Sequence, residues 1–213
     1  VNNDFAGIKN WFNEFYARDT SRKIRAVQKA KGERGVPLTV NVPYGYVKDP
    51  ENPKHWLVDP EAAAIVKRIF SMCMEGRGPT QIANQLWADK VLTPTAYKLS
   101  HGRSTNAPAP EDPYRWDKRA VSLILERREY TGCTVNFKTY TNSIWDKKRH
   151  LNPVENQAIF PDTHERIIDD DVFEKVQEIR SQRHRMTRTG KSSIFSGMVY
   201  CADCGSKMQY GSS

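Results

Sequence analysis

One long helix is predicted for residues 4 to 31, and it constrains the fold more than any other feature of the sequence. Its apolar side chains recur at helical spacing: Phe5, Ile8, Phe12, Phe15, Ile24 and Val27. Proline is absent until Pro37, and Gly32 and Gly35 favour an end of the helix just before it. At 1.5 Å per residue such a helix reaches roughly 40 Å. The chain is therefore expected to begin with an elongated element.

The two halves of this helix differ in character. The first half is rich in aromatic residues: Phe5, Trp11, Phe12, Phe15 and Tyr16. The second half is basic, with cations that outnumber its acids: Arg18, Arg22, Lys23, Arg25, Lys29, Lys31 and Arg34. An aromatic stripe usually packs in a core or an interface, and a charge run is usually a solvated face. The change along one helix predicts that its first half docks on protein and its second half lies on a polyanion.

The composition also favours a polyanionic partner. The 213 residues carry a net charge of +8, and the pI is about 9.3, which suits nucleic acid. A merely soluble basic protein has the same composition, so charge alone does not decide. No apolar run approaches the roughly 20 residues that cross a bilayer, so no membrane partner is predicted. Four cysteines and no visible signal peptide favour a reducing, cytoplasmic location. Because the chain starts at Val1 rather than Met, we expect an internal fragment.

A helical region is predicted after the first helix. One helix starts with Asp59 as its N-cap and Pro60 in the first position, and Gly76 ends it. Further helices are predicted over 79–89, over 117–128 and from Asp169 onward, each with a stripe of buried apolar positions. Residues 93–116 are predicted to form a long polar loop, which would be functional or mobile. Strands are predicted over 134–140 and 194–200. The fold class is therefore α+β and mainly helical, with a long N-terminal helix, a helix-turn-helix-like domain and a small β-sheet.

The helices predicted over 79–89 and 117–128 resemble a helix-turn-helix that is stretched by an insertion. In such a motif one helix braces on the DNA backbone while the next presents side chains to base edges in the major groove. The strand after the second helix would serve as a wing. The residues predicted to contact DNA in this region are Arg103, Arg115, Lys118, Arg119, Ser122, Arg127 and Lys138. A helical bundle with no role in DNA binding gives the same pattern and remains an alternative.

Two cysteines near the C-terminus have the spacing of a zinc knuckle. Cys201 and Cys204 flank two residues, with Gly205 next, so their thiolates can share one Zn²⁺. A structural zinc site needs four ligands. No further Cys or His follows Cys204. We therefore predict a half-site that is empty in this fragment. Cys73 and Cys133 are expected to be packed small hydrophobic residues rather than ligands.

No catalytic constellation is evident. The five histidines are scattered, and neither a Gly-rich phosphate loop nor a Gly-x-Ser-x-Gly motif occurs. A zinc-dependent enzyme would need His or carboxylate ligands that the sequence does not offer in a group. No catalytic residue is therefore assigned within the chain.

Segments spread over nearly the whole chain carry a family resemblance. They occur at 13–23, 43–46, 58–70, 78–86, 116–132, 164–177 and 195–208. Their order and spacing resemble the large serine recombinases, the serine integrases and transposases of mobile elements. The resemblance implies that residues 1–35 are the linker helix leaving a catalytic domain, which is absent here. It further implies that residues 36–193 form the recombinase DNA-binding domain and that 194–213 begin a truncated zinc ribbon.

The resemblance also implies the chemistry of the full-length protein. In this family a serine attacks a DNA phosphodiester, forms a phosphoserine link, and religates after subunit rotation without metal or ATP. That serine lies outside this chain, and Ser21 in the linker helix is not a candidate. We expect a segment that recognises attachment or transposon-end DNA during integration or excision. Its partners would be double-stranded DNA and further copies of itself, as a dimer or, full-length on DNA, a tetramer. A winged-helix transcription regulator that binds without cutting is the alternative.

Overall fold

In the computed structural model the described residues are 6–39, 41–103, 105, 107–142, 148–182 and 199–204. The α-helices are α1 (Ala6–Glu33), α2 (Pro60–Met74), α3 (Pro79–Ala88), α4 (Pro94–Ser100), α5 (Lys118–Glu126) and α6 (Asp170–Gln182). The strands are β1 (Tyr46–Lys48), β2 (Trp56–Val58), β3 (Thr134–Asn136), β4 (Thr139–Tyr140), β5 (His150–Leu151) and β6 (Ala158–Phe160). Short 3₁₀ turns cover Arg128–Thr131 and Val154–Asn156. This arrangement confirms the α+β class; the predicted strand over 194–200 lies outside the described residues except for its last two.

The long first helix is confirmed, with an end two residues beyond the prediction. It closes with a Schellman motif, in which Gly35 adopts φ +76°. The Val36 amide donates to the Lys31 carbonyl and the Gly35 amide donates to the Gly32 carbonyl, both at 3.2 Å. Gly35 is thus the residue that stops the helix, while Gly32 lies inside its last turn.

The core forms where α2, α3, α5 and α6 pack together. Each helix supplies one apolar stripe at helical spacing, which is the pattern that predicted it. The most deeply buried of these side chains include Val66, Ile69, Ile82, Leu86, Val121, Leu125 and Val176. Tyr130, from the 3₁₀ turn after α5, is fully buried at the centre and donates a 2.8 Å hydrogen bond to the Tyr44 carbonyl. A hydrophobic cluster therefore ties the turn-rich segment before α2 to the helices.

The prediction of a long loop over residues 93–116 is wrong in its first part, because α4 forms there. The Thr93 hydroxyl accepts a hydrogen bond from the Ala96 amide, and Pro94 occupies the first turn. The rest of the segment is fastened to the domain at its far end. The Trp116 indole donates to the Val91 carbonyl at 3.0 Å, and the Thr93 amide donates to the Pro113 carbonyl at 2.8 Å. The described residues of this segment therefore form an insertion between α3 and α5 that is held at both ends.

The strands form three antiparallel pairs among the described residues. β1 pairs with β2, β3 with β6, and β4 with β5. The single strand predicted over 134–140 is divided in two, because Phe137 adopts φ +59° and breaks the extended run. Likewise the predicted helix over 117–128 ends at Glu126, since Arg127 has an extended backbone (φ −81°, ψ 104°).

Candidate nucleic-acid interface

The basic half of α1 presents a stripe of exposed cations. Arg18, Arg22, Arg25 and Lys29 recur at steps of four, three and four residues, which places them on one face of the helix. We call these four residues the basic stripe. Lys23 and Lys31, also predicted DNA contacts, fall on other faces of the same helix. Arg34 is exposed just after the last helical residue.

The ion pairs within α1 are weak, so its cations remain available to bind phosphate. Arg18 pairs with Glu14 at 2.5 Å, Lys23 with Asp19 at 2.8 Å, and Lys29 with Glu33 at 3.8 Å. All three pairs join residues four apart on an exposed helix, where an ion pair contributes only about 0.3–0.5 kcal/mol. A phosphate that approaches the cations of α1 can therefore displace these carboxylates at little cost.

The basic stripe reaches the β4–β5 ribbon. A guanidinium nitrogen of Arg25 lies 3.5 Å from the hydroxyl of Thr141, the residue that follows β4. In the neighbouring strand at the same end of this ribbon, Lys148 and Arg149 are exposed immediately before β5. Helix and ribbon therefore form one positively charged surface. The charge run at Lys148 and Arg149 was visible in the sequence, but only the pairing of β4 with β5 brings it to the end of the ribbon that Arg25 contacts.

Helix α5 has the geometry of a helix that can enter a groove. Its Asp117 cap accepts a hydrogen bond from the Arg119 amide at 2.7 Å. Val121, Ile124 and Leu125 are buried against α3 and α6, which fixes the opposite face outward. On that outward side Lys118 and Arg119 are exposed, Ser122 is half-buried, and Leu123 is 45% exposed. Arg115 is exposed two residues before the cap.

The end of α5 lies close to a cationic cluster that the sequence only partly indicated. Arg127 is half-buried at the C-cap of α5. Lys98, on α4, donates to the Val42 carbonyl at 3.4 Å. Burial lowers the pKa of Lys98, and the nearby charges of Arg127 and Arg103 lower it further. The missed residue is therefore Lys98, which sits with two predicted DNA contacts where a polyanion would be favoured.

Two of the predicted DNA contacts have carboxylate partners inside the domain. Arg103 pairs with Asp59 at 3.1 Å and lies 5.9 Å from the ring centre of Tyr97. The Lys138 ammonium contacts a carboxylate oxygen of Glu129 at 2.5 Å, and that glutamate is only 2% exposed. Both cations thus hold buried acids in place. Their role as DNA contacts stays a prediction.

The cysteines divide as expected into packed and accessible ones. Cys73 and Cys133 are buried, and burial raises the pKa of the Cys133 thiol. Cys201 is half-buried and Cys204 is exposed, with a turn over 202–204. Within the part of the chain that the structure describes, no group of three or more His, Cys, Asp or Glu is placed to hold a metal. The same part holds no helix that is long and apolar enough for a membrane span.

Comparison with known proteins decides the family. The sequence model of the family described as Recombinase matches residues 60–183, more than half of the chain. The chain belongs to the Recombinase family. The match runs from the first residue of α2 to just past the end of α6, and it favours the recombinase interpretation over the winged-helix regulator.

Similar proteins are found both in sequence and in structure. Uncharacterized protein YefB of Bacillus subtilis strain 168 is 32% identical over 96 residues, which cover 45% of this chain and 32% of that protein. A crystal structure of an LSR–DNA complex has a TM-score of 0.50 at 18% identity, over 86% of this chain and 47% of that one. A structure described as concerning the sequence requirements of the Listeria innocua prophage attP site has a TM-score of 0.51 at 18% identity. That match covers 86% of this chain and 62% of the other. The recombinase chain thus spans about a third of the curated relative and half to three fifths of the structural neighbours.

Proposed function

We propose that this recombinase chain is the DNA-binding segment of a site-specific serine recombinase, which recognises attachment or transposon-end DNA during integration or excision. The observation that carries the proposal is the basic stripe on α1, since four exposed cations on one face can bind successive phosphates and their local ion pairs contribute little. Family membership supports the same conclusion. The two structural neighbours support it as well, since their descriptions name a DNA complex and a prophage attachment site.

In this proposal one surface of the chain contacts the phosphates and another contacts the bases. The basic stripe and the β4–β5 ribbon bind phosphates, which contributes affinity on any sequence. Helix α5 reads base edges through Arg119 and Ser122, with Lys118 and Arg115 beside them. Lys98 and Arg127 support the end of α5 on the DNA backbone. The chain would thus recognise half of a two-fold site.

Self-association is part of the proposal. Trp11, Phe12 and Phe15 are each more than half exposed on the aromatic half of α1. The Trp11 and Phe15 rings stack on each other with centroids 5.6 Å apart, so they form a small apolar platform. A platform of this kind suits contact with protein, either a catalytic domain or another copy. We propose dimers that become tetramers when the full-length recombinase is bound to DNA.

A structural zinc in the full-length recombinase is also proposed. Cys201 and Cys204 flank a single turn, and the C-x₂-C spacing is typical of one half of a zinc site. The residues present fit two of the four ligands that such a site requires. Cys73 and Cys133 lie buried in the helical domain and do not complete it. The remaining ligands would come from a second Cys pair beyond this chain.

The proposal is tested by fluorescence anisotropy on DNA from the ends of the mobile element that encodes the recombinase. The expected result is tighter binding to those ends than to scrambled DNA of equal length, with a footprint over one half-site. Charge reversal in the basic stripe, R22E with R25E, should weaken binding to both DNAs. Equal, salt-insensitive binding to both DNAs by the parent protein would contradict the proposal.

A further inference from the structure

The side chain of Asn136 fastens the end of α1 to the domain. Its amide nitrogen donates to the Gly32 carbonyl at 3.1 Å and to the Val36 carbonyl at 3.0 Å. Its amide oxygen accepts from the Leu38 amide at 3.1 Å. Asn136 is 2% exposed, so these bonds form away from water, and both amide hydrogens are used. One buried side chain thus binds three backbone groups at the point where the chain leaves the long helix.

Two aromatic rings close the same junction. A Cβ added to Gly32 would overlap the ring of Phe137, which comes directly after Asn136. A Cβ added to Gly35 would lie 3.1 Å from the ring of Phe160. Phe137 directly follows β3 and Phe160 is the last residue of β6, and these two strands pair through Asn136 and Ala158. The last turn of α1 therefore rests directly on the β3–β6 pair, with glycines where the rings approach its backbone.

Apart from the contact between Arg25 and Thr141, the direction of the helix depends on this small area. From residue 7 to residue 31 every side chain of α1 is exposed or half-buried, so the core does not enclose the helix along its length. Arg18 lies 14 residues before Gly32, or roughly 21 Å along the axis. A tilt of about 10° at the junction would therefore move Arg18 by about 4 Å, which is more than the reach of a hydrogen bond.

We propose that Asn136 is a positioning residue, which sets the angle between α1 and the domain and so fixes the basic stripe relative to α5. The part of this inference that concerns DNA rests on the proposed function. The angle itself does not, because it is a property of the protein alone. The chemistry favours asparagine, since aspartate would set a carboxylate against two carbonyl oxygens and alanine would leave all three backbone groups without their partner.

The angle is tested by measuring the distance between spin labels at A17C on α1 and A64C on α2, both exposed positions. Cys201 and Cys204 are replaced by serine in this protein, and the buried Cys73 and Cys133 remain. Electron-electron resonance should give one narrow distance distribution for the parent. N136A and N136D should broaden or shift it, while N156A, at an exposed asparagine, should leave it unchanged.

A second pair of variants changes residues on the helix side of the junction and leaves the domain core intact. G32A places a methyl group against the Phe137 ring and should shift the distance distribution. G7A adds the same methyl group where nothing lies within 4 Å, and should not. The inference is overturned if G32A retains the parent distribution. It is also overturned if N136A and N136D retain it with parental helix content by circular dichroism.

Binding to DNA gives an independent readout. If Asn136 positions the basic stripe, N136A should lower the salt dependence of binding while the ratio of affinities for cognate and random DNA is retained, because α5 is untouched. If the parent does not bind DNA, the proposed function fails while the distance measurement still tests the junction. If N136A changes the distances but not the salt dependence, the stripe does not contact DNA in the way proposed.

Discussion

Tyr97 donates a hydrogen bond from its hydroxyl to Asp59 Oδ1 at 2.9 Å, so α4 is held by the residue at the N-cap of α2. Asp59 has the extended backbone of an N-cap, but its side chain makes no capping hydrogen bond. Its second oxygen accepts instead from Arg103. Burial and the hydrogen bond to Asp59 both raise the pKa of Tyr97, which keeps the hydroxyl a donor. A residue that the sequence marks as a cap therefore joins α2 to the insertion.

Replacement of Asp59 should destabilise the domain through this connection. D59A removes the acceptor for Tyr97 and the partner of Arg103, and we expect a loss of roughly 1–3 kcal/mol in unfolding free energy. Y97F should cost less, since it removes only one hydroxyl. Urea denaturation followed by circular dichroism measures both. E75A, at an exposed acid on the end of α2, is the matched control; a loss in D59A no larger than in E75A would show that the connection is unimportant.

Substitutions at Lys138 and Glu129 should have coupled effects on the stability of the domain. Glu129 Oε1 contacts Lys138, and within the described residues Glu129 Oε2 has no hydrogen-bond partner. K138A would leave a buried carboxylate without its counter-ion and should cost roughly 2–4 kcal/mol, somewhat below a fully buried pair because Lys138 is partly exposed. E129Q combined with K138A should recover part of the loss. Strictly additive effects in this double-mutant cycle would mean that the two residues do not interact.

Binding should depend strongly on salt. Each phosphate neutralised contributes about −0.9 to the slope of log K against log salt on duplex DNA. R25E with K29E should therefore weaken binding on all sequences about equally and make the slope shallower by roughly 2. Titration at several salt concentrations measures this. K175E, at an exposed position on α6, should leave the slope unchanged. A parental slope near zero would refute phosphate binding altogether.

Helix α5 should contribute specificity rather than general affinity. Alanine at Arg119 or Ser122 removes a side chain from the outward face without touching the buried stripe. A side chain that reads a base should cost roughly 1–3 kcal/mol on cognate DNA and relax preference at one position. Competition between cognate and random DNA measures the ratio. If both DNAs lose affinity equally, the recognition surface lies elsewhere, for example in the insertion that contains Arg103 and Arg115.

Zinc content tests the proposed half-site. Because Cys201 and Cys204 supply two of the four ligands that a structural zinc takes, these 213 residues should hold far less than one zinc per chain. A longer recombinase with a second Cys pair should hold about one. Elemental analysis of both proteins decides the matter. About one zinc per chain in the shorter protein, lost in C201S, would mean that the site is complete as it stands.

The sequence predicted elements whose signal is local. The stripes of α2, α5 and α6 recur every three or four residues; both ends of α2 and α5 and the start of α6 were predicted within two residues. Helix α4 was missed because seven residues are too few to show periodicity, and Thr93-Pro94 marks a turn as well as a helix start. The break at Phe137 was missed because nothing in the neighbouring sequence marks a left-handed backbone at a phenylalanine, and its ring packs beside Gly32, which lies over 100 residues earlier.

The sequence predicted the positive charge of the candidate interface, but not how its residues are arranged. Charge alone identified the basic half of α1, and the structure places four of its seven predicted contacts on one exposed face. Charge also selected Arg103 and Lys138, whose partners Asp59 and Glu129 become visible only when the chain is folded. Asn136 carried no signal at all, because a lone asparagine in a strand does not reveal which backbone it will bind.

The junction at Asn136 also has a consequence for synthesis on the ribosome. Its hydrogen bond to Gly32 joins residues separated by 104 positions. At a translation rate of about 5–20 residues per second, α1 leaves the exit tunnel roughly 5 to 20 seconds before the strand that anchors it. Throughout this interval the helix lacks its attachment to the β3–β6 pair. A helix that is made before the rest of this domain is therefore among the last of its elements to acquire a final place.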